Sequence, residues 1–286
     1  MQENNKFVTI IIIKKEKHKM INRDDIKIDK SLFLTPPAQI TAITSGLGSM
    51  GKTWLAATLA QALNMLHKSV LLFDANNGLL NTDFQLGLNG SYYLNQVLSG
   101  EITLNQAVVP VNRKKFDVIS GRAGSDLLDG VPVGRLQILR EELVLLAQNY
   151  NEVIIDLPSS DKILHNLLPP AQIILVCTND PSNLVSTYDF LQKNHSSLSY
   201  KSLQIVINYA NSYEEGLRTY DTLRRACEQY MTSTPPLLGV IRRDTKVRDV
   251  IRNHVLLLYR YPGSEAAEDV INIAKKLWVK EAEFER

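Results

Sequence analysis

Cysteine is nearly absent from this sequence. Cys177 and Cys227 are the only two, and no metal-binding or redox spacing joins them. A disulfide scaffold, a zinc cluster and an iron–sulfur site are therefore disfavoured, and both thiols read as reduced structural residues of a cytosolic protein. Long apolar runs are absent too. No stretch reaches the roughly 18 apolar residues of a membrane span. The run Val8–Ile13 is short, and Lys14, Lys15, Lys17 and Lys19 follow it, whereas a secretory signal places its charge first. No charge dominates either: the net charge is +2. Low-complexity tracts and internal repeats are also missing. Charged residues make up 22% of the chain and hydrophobic residues 44%, the composition of an ordinary globular protein. Its 286 residues are enough to bury a substantial core without staples.

From Gln39 onward, apolar runs alternate with helical patterns. The runs are Gln39–Thr44, Ser69–Phe73, 115–120, Val153–Ile155, Ile173–Cys177, Leu203–Ile207 and Leu237–Ile241. Helices are expected over Lys52–Lys68, Leu136–Asn149, Leu184–Lys193, Glu214–Met231 and Ala266–Lys280. In the first, Leu55, Leu59, Leu63 and Leu66 fall on one face. A glycine turn is expected over Gly121–Gly124. Such alternation predicts an α/β fold: one domain, residues 38–286, with a mostly parallel sheet covered by helices on both faces. Residues 1–37 read as an extension, either an extra edge strand or a poorly ordered leader, with Met20 an alternative start. Ligands of such sheets bind beyond the carboxyl ends of the strands.

The loop after the first run reads SGLGSMGKT and fits G-x-x-x-x-G-K-[ST] from Gly46 to Thr53. Backbone N–H groups of such a loop cradle phosphate at a helix N-terminus. Gly46, Gly48, Ser49, Met50, Gly51, Lys52 and Thr53 are the expected nucleotide contacts. Lys52 would reach the terminal phosphates, and the Thr53 hydroxyl would ligate Mg²⁺. Asp156 closes the run Val153–Asp156, which suits a magnesium-supporting carboxylate.

A third stretch, LLFDANNGLLNTDFQLGL from Leu71 to Leu88, completes a pattern. With SGLGSMGKT and YNEVIIDLPSS it resembles the MinD/ParA family of deviant P-loop ATPases, and most of all its FlhG (FleN, YlxH) branch. Residues 94–101, 179–190, 206–223, 239–252 and 261–266 extend the resemblance over about 38–280, in order. The resemblance implies a single-domain P-loop fold, ATP or ADP with Mg²⁺ as cofactors, and a face-to-face homodimer around ATP. It also implies a regulatory partner, either a transcriptional activator or a flagellar component. Thr53, Asp74 and Asp156 are the implied metal-supporting residues, and Asn208, near the loop around Ile241–Asp244, the implied adenine reader. The expected location is the cytoplasm, with peripheral attachment at the inner membrane or a cell pole as a family alternative.

Two departures fall on the family's catalytic positions. Leu47 stands where the family has a lysine that reaches the partner's phosphates, and Asn76 stands where it has the hydrolytic aspartate. Leucine can donate no hydrogen bond, and an amide is neutral and a poor base. Milder departures are Ser160 for a switch glycine, Arg242 for a proline and Ser49 for a loop glycine. No activation helix of the DQAxxLR type is recognisable before Pro37.

The terminal segment places Val270, Ile273, Ala274 and Leu277 on one face, with Trp278 beside them. It would either bind membrane or pack on the sheet, and Glu281, Glu283 and Glu285 favour packing. The basic residues Arg242, Arg243, Lys246, Arg248 and Arg252 are interrupted by Asp244 and Asp249, so a solvated helix face is expected rather than a DNA surface. The sequence thus predicts a regulatory nucleotide-binding protein with impaired ATP hydrolysis. A silent P-loop binding module and a cargo positioner of the ParA kind are the alternatives.

Overall fold

The computed structural model describes residues 38–48, 50–76, 82–88, 92–111, 116–121, 128–169, 171–194, 203–231 and 234–284, with the side chains of 230 and 278–284 left aside. The expectations for 1–37, for Ser49, for most of the 121–124 turn and for Trp278 fall outside these residues.

Among the described residues eight strands form one sheet: β1 Gln39–Ser45, β2 Val70–Asp74, β3 Val109–Val111, β4 Phe116–Ile119, β5 Glu152–Asp156, β6 Gln172–Thr178, β7 Leu203–Ala210 and β8 Leu237–Arg242. Their spatial order is β3-β4-β2-β5-β1-β6-β7-β8. Every adjacent pair is parallel except β3 with β4. A parallel sheet covered on both faces needs apolar side chains on both, and β2 (VLLFD) is buried at all five positions. Strand β1 lies between β5 and β6, at the centre.

Among the described residues there are ten α-helices, α1 Lys52–Met65, α2 Thr82–Leu86, α3 Leu94–Ser99, α4 Val133–Ala147, α5 Asp161–Leu167, α6 Pro181–Asn194, α7 Tyr213–Tyr230, α8 Thr245–Arg252, α9 Leu257–Arg260 and α10 Glu265–Phe284, and a 3-10 turn at Leu104–Ala107. The core divides into two clusters. One joins Leu136, Leu139 and Leu143 of α4 with Ile163 of α5, Phe190 of α6 and Leu223 of α7. The other joins Leu55 and Leu59 of α1 with Val247 of α8, Leu257 of α9 and Val270 of α10.

Local chemistry sets several boundaries. Ser212 caps α7 by accepting from the Glu215 N–H at 3.1 Å, and Asp244 caps α8 by accepting from the Lys246 N–H at 2.9 Å. The terminal helix packs rather than stands free over its described side chains: Val270, Ile273, Ala274 and Leu277 are all buried. Arg242, at the end of β8, fixes it further. Its Nε donates to Asp269 Oδ2 at 2.9 Å, and its Nη1 to Glu265 Oε1 at 2.8 Å. No described helix is long and apolar enough to cross a membrane.

Three expectations need correction. Helix α1 is not amphipathic: every residue from Lys52 to Leu63 is buried, because α10 covers the side turned away from the sheet. Leu66 falls just after the helix, at its C-cap, and is only half buried. Strand β3 was not expected. It is three residues long and holds Pro110, which no interior strand tolerates but an edge does. The solvated basic face holds for Arg243, Lys246, Arg248 and Arg252, which are exposed, and fails for Arg242. Arg242 is ion-paired, Lys246 Nζ lies 5.7 Å from the centre of the Tyr261 ring, and Arg243 and Arg248 line a cavity.

Two leucines give a direct check on this burial. Leu59 in α1 is fully buried, whereas Leu145 in α4 is 64% exposed. Leu59→Ala should lower the unfolding free energy by about 2–5 kcal/mol. Leu145→Ala should change it by no more than about 0.5 kcal/mol. Urea denaturation measures both, and equal losses would contradict the packing described.

Candidate functional site

Ser45, Asp74 and Asp156 end three central strands, β1, β2 and β5, on the same side of the sheet. The phosphate-type loop leaves Ser45 and enters α1 at Lys52. Gly46 is required by a close approach. A Cβ there would lie 2.1 Å from the Ser186 carbonyl oxygen and 2.7 Å from the Thr187 nitrogen, both backbone atoms of α6. Gly51 has φ of 83°, a left-handed conformation that turns the chain into α1.

Lys52 is buried, and its Nζ donates to Ser45 Oγ at 2.9 Å. Burial pushes its pKa down, and the Asp156 charge opposes that shift. Ser45 Oγ in turn donates to the Leu47 carbonyl and lies 3.2 Å from Ser159 Oγ. The Thr53 hydroxyl donates to Asp156 Oδ2.

Asp74 and Asp156 are direct partners across the β2–β5 ladder, and both are fully buried. Asp74 accepts from the backbone N–H groups of Asn76 at 3.0 Å and Thr82 at 2.9 Å. Burial, with the Asp156 charge behind it, raises the Asp74 pKa to about 7. Burial also raises Asp156, to about 6, although Thr53, Lys52 and Asn76 all favour its charged form. One Asp156 oxygen, Oδ1, is buried without a hydrogen-bond partner.

This arrangement suits Mg²⁺. The hydroxyl of Thr53 and the carboxylates of Asp74 and Asp156 are hard oxygen donors, and the orphaned Oδ1 is a buried acceptor that an ion or its water would satisfy. Among the described residues no group of three or more histidine, cysteine, aspartate or glutamate side chains could hold a metal alone. Magnesium needs no such cage, because it keeps several waters and shares its shell with phosphate.

Asn76 joins the cluster through its amide nitrogen. Nδ2 donates to Thr53 Oγ1 at 3.2 Å and to Asp156 Oδ2 at 3.3 Å. A carboxylate in that place would add a third negative charge beside a pair already short of solvation. Leu47 stays apart, with its side chain 46% exposed. Ser160 precedes α5 and donates to Asp129 Oδ1 at 3.0 Å. Asn208, at the end of β7, is committed within the chain: Nδ2 donates to the Met50 carbonyl at 2.8 Å, and Oδ1 accepts from the Tyr209 N–H at 2.9 Å. It therefore keeps one N–H and one lone pair for anything else.

Ser45 and Tyr209 escaped the reading of the sequence. Ser45 had a usable signal, being the last strand residue before the loop. Tyr209 had none, because its place depends on a break in the β7–β8 register.

The strand–loop–helix with a buried lysine, threonine and two aspartates at central strand ends defines a P-loop nucleotide-binding fold. The chain belongs to the CobQ/CobB/MinD/ParA nucleotide-binding domain family, whose match spans residues 41–257. It is 24% identical over 246 residues to the antiactivator FleN of Pseudomonas aeruginosa, covering 84% of this chain and 86% of FleN. It is 26% identical over 259 residues to the flagellum site-determining protein YlxH of Helicobacter pylori, covering 88% of this chain and 86% of YlxH. The septum site-determining protein MinD of Synechocystis is 33% identical over 212 residues, covering 73% of this chain and 77% of that one. In fold, the chain superposes on the MinD cell division protein of Aquifex aeolicus with a TM-score of 0.69 at 21% identity, covering 84% of this chain and 97% of that one.

The aspartate pair carries a pH signature. Both folded-state pKa values lie above the unfolded value of about 4, so between them the folded state binds more protons than the unfolded. The contribution of the pair should therefore be most favourable below about pH 4 and be lost as pH rises towards 7. Urea midpoints of the magnesium-free protein across that range measure it. Asp156→Asn should flatten the fall, and an unchanged slope would contradict the assignment.

Proposed function

We propose that the chain is a nucleotide-operated regulator of the FleN and YlxH kind. It would act on flagellar number or placement, or on the positioning of another polar structure. In this reading the loop from Gly46 to Gly51, Ser49 included, cradles the phosphates of ATP or ADP with Lys52. Thr53, Asp74 and Asp156 hold Mg²⁺, and Asn208 borders the base. Magnesium, when bound, neutralises phosphate charge. The chain's own residues bind and orient the nucleotide, and hydrolysis is slow or absent. An ATP-bridged homodimer and a regulatory protein partner belong to the same reading, with the protein in the cytoplasm.

The observation that carries it is the Asn76 amide resting on the Thr53–Asp156 pair. The amide supports the metal-side groups by donating to them, yet it supplies no charge or base to activate a water. Leu47 removes a second group, since it cannot donate to charge growing in the transition state. Loss of one such donor costs on the order of 10²–10³ in rate. Binding chemistry is thus retained on one side of the site, while both groups that would accelerate hydrolysis are changed. The family membership and the two flagellar relatives support the regulatory role.

Phosphate release with Mg²⁺ and ATP tests this. Turnover should sit at least about 10²-fold below that of relatives keeping both groups. Leu47→Lys combined with Asn76→Asp should raise it more than either change alone, because both act on one transition state. Wild-type turnover equal to that of active relatives would sink the proposal.

A further inference from the structure

Helix α2 has five residues, far below the length at which a helix is stable alone. Its place nevertheless bears on the metal side of the site. The N–H of its first residue, Thr82, donates to Asp74 Oδ2 at 2.9 Å. Asp74 Oδ1 accepts from the Asn76 N–H at 3.0 Å, so each carboxylate oxygen is aimed by a different backbone group. A shift of α2 would take one of those two donors away. Side chains from two directions hold α2. Ser120 Oγ, just past β4, donates to Asp83 Oδ1. From the other direction His254 Nδ1 bonds to the Phe84 carbonyl oxygen. A carbonyl only accepts, so Nδ1 carries the proton. The His254 ring also meets the Phe84 ring edge-on, with centroids 4.7 Å apart at 81°.

The C-terminal ends of α2 and α8 meet at this point. Gly87 follows α2 with φ of 62°, and a Cβ on it would lie 3.0 Å from the His254 Cβ. His254 follows the C-cap of α8, Asn253, with φ of 53°. The Val255 N–H returns to the Val250 carbonyl at 3.1 Å, the bond that closes a helix ending on a left-handed residue. Such a place favours glycine, and a side chain there carries a conformational cost. The backbone alone does not single out His254, since His67 after α1 is also left-handed. The bond across to α2 does. The histidine is ill suited to ending α8 and well placed to hold its neighbour.

We propose that His254 is a positioning residue for the magnesium site. It fixes the C-terminal end of α2, and α2 in turn aims the Asp74 carboxylate. The inference rests on the nucleotide reading above and adds to it a residue that touches neither metal nor nucleotide.

Two variants of the full chain test it while sparing α8. His254→Gly removes the side chain and suits the left-handed backbone. His254→Asn tolerates that backbone and keeps a donor at the same remove from it as Nδ1. In the nucleotide-free protein, amide hydrogen exchange over 82–88 should quicken in His254→Gly and return towards wild type in His254→Asn. Calorimetric titration with ADP, with and without Mg²⁺, then reads the site. The factor by which Mg²⁺ tightens ADP should fall by about tenfold, towards one, in His254→Gly, the effect of losing a group that orients a metal ligand. ADP affinity without Mg²⁺ should not change, and His254→Asn should restore the factor. An unchanged magnesium factor, or unchanged exchange over α2, overturns the proposal and leaves the nucleotide reading standing. If Mg²⁺ fails to tighten ADP in the wild-type chain, the metal assignment falls and the proposal with it. If ADP does not bind at all, the nucleotide reading falls as well.

Discussion

The site depends on one constraint, the burial of two carboxylates against each other. Asp74 and Asp156 are register partners on neighbouring central strands, and neither has contact with solvent. Placing two anions there is unfavourable unless something positive or proton-donating meets them. The groups that do so come from separate elements. Lys52 and Thr53 come from the first turn of α1, Asn76 from the segment after β2, and the Thr82 N–H from α2. The phosphate-type loop, the helix it opens and the segment after β2 are thereby tied to one point.

Seen from that point, the two departures from the family pattern differ in kind. Asn76 lies inside the cluster and relieves it, since an amide donates where a carboxylate would repel. In the proposed reading the same exchange also removes a base. Leu47 lies outside the cluster, half exposed. One position thus sits within the buried cluster, and the other on the exposed margin of the loop. Neither position is one of the strand ends Ser45, Asp74 and Asp156 or the first residues of α1, Lys52 and Thr53.

The parts of this site legible in the sequence were those encoded by local pattern. Gly46, Lys52 and Thr53 follow from a motif with fixed spacing, Asp156 from its position at the end of an apolar run, and Asp74 from the family resemblance. What escaped depends on neighbours distant in sequence. Burial of α1 on all sides follows from α10, some 200 residues away, so periodicity within α1 could not show it. Strand β3 owes its existence to an edge, and its Pro110 argues locally against any strand. Tyr209 follows an asparagine of recognisable type, yet its left-handed backbone lies within a β7–β8 register break that depends on the partner strand. The basic residues near 242–252 look uniform in sequence. Tertiary contacts sort them into one ion-paired to α10, one against an aromatic ring and two in a cavity.

The central claim is that nucleotide binding outlasts nucleotide hydrolysis in this chain. The most direct measurement is the identity of the bound nucleotide. The protein is incubated with Mg²⁺ and ATP, separated from free nucleotide, denatured and analysed by ion-pair chromatography. The account predicts that intact ATP is recovered, in an amount comparable to the protein. Recovery of ADP would contradict it, as would recovery of no nucleotide at all.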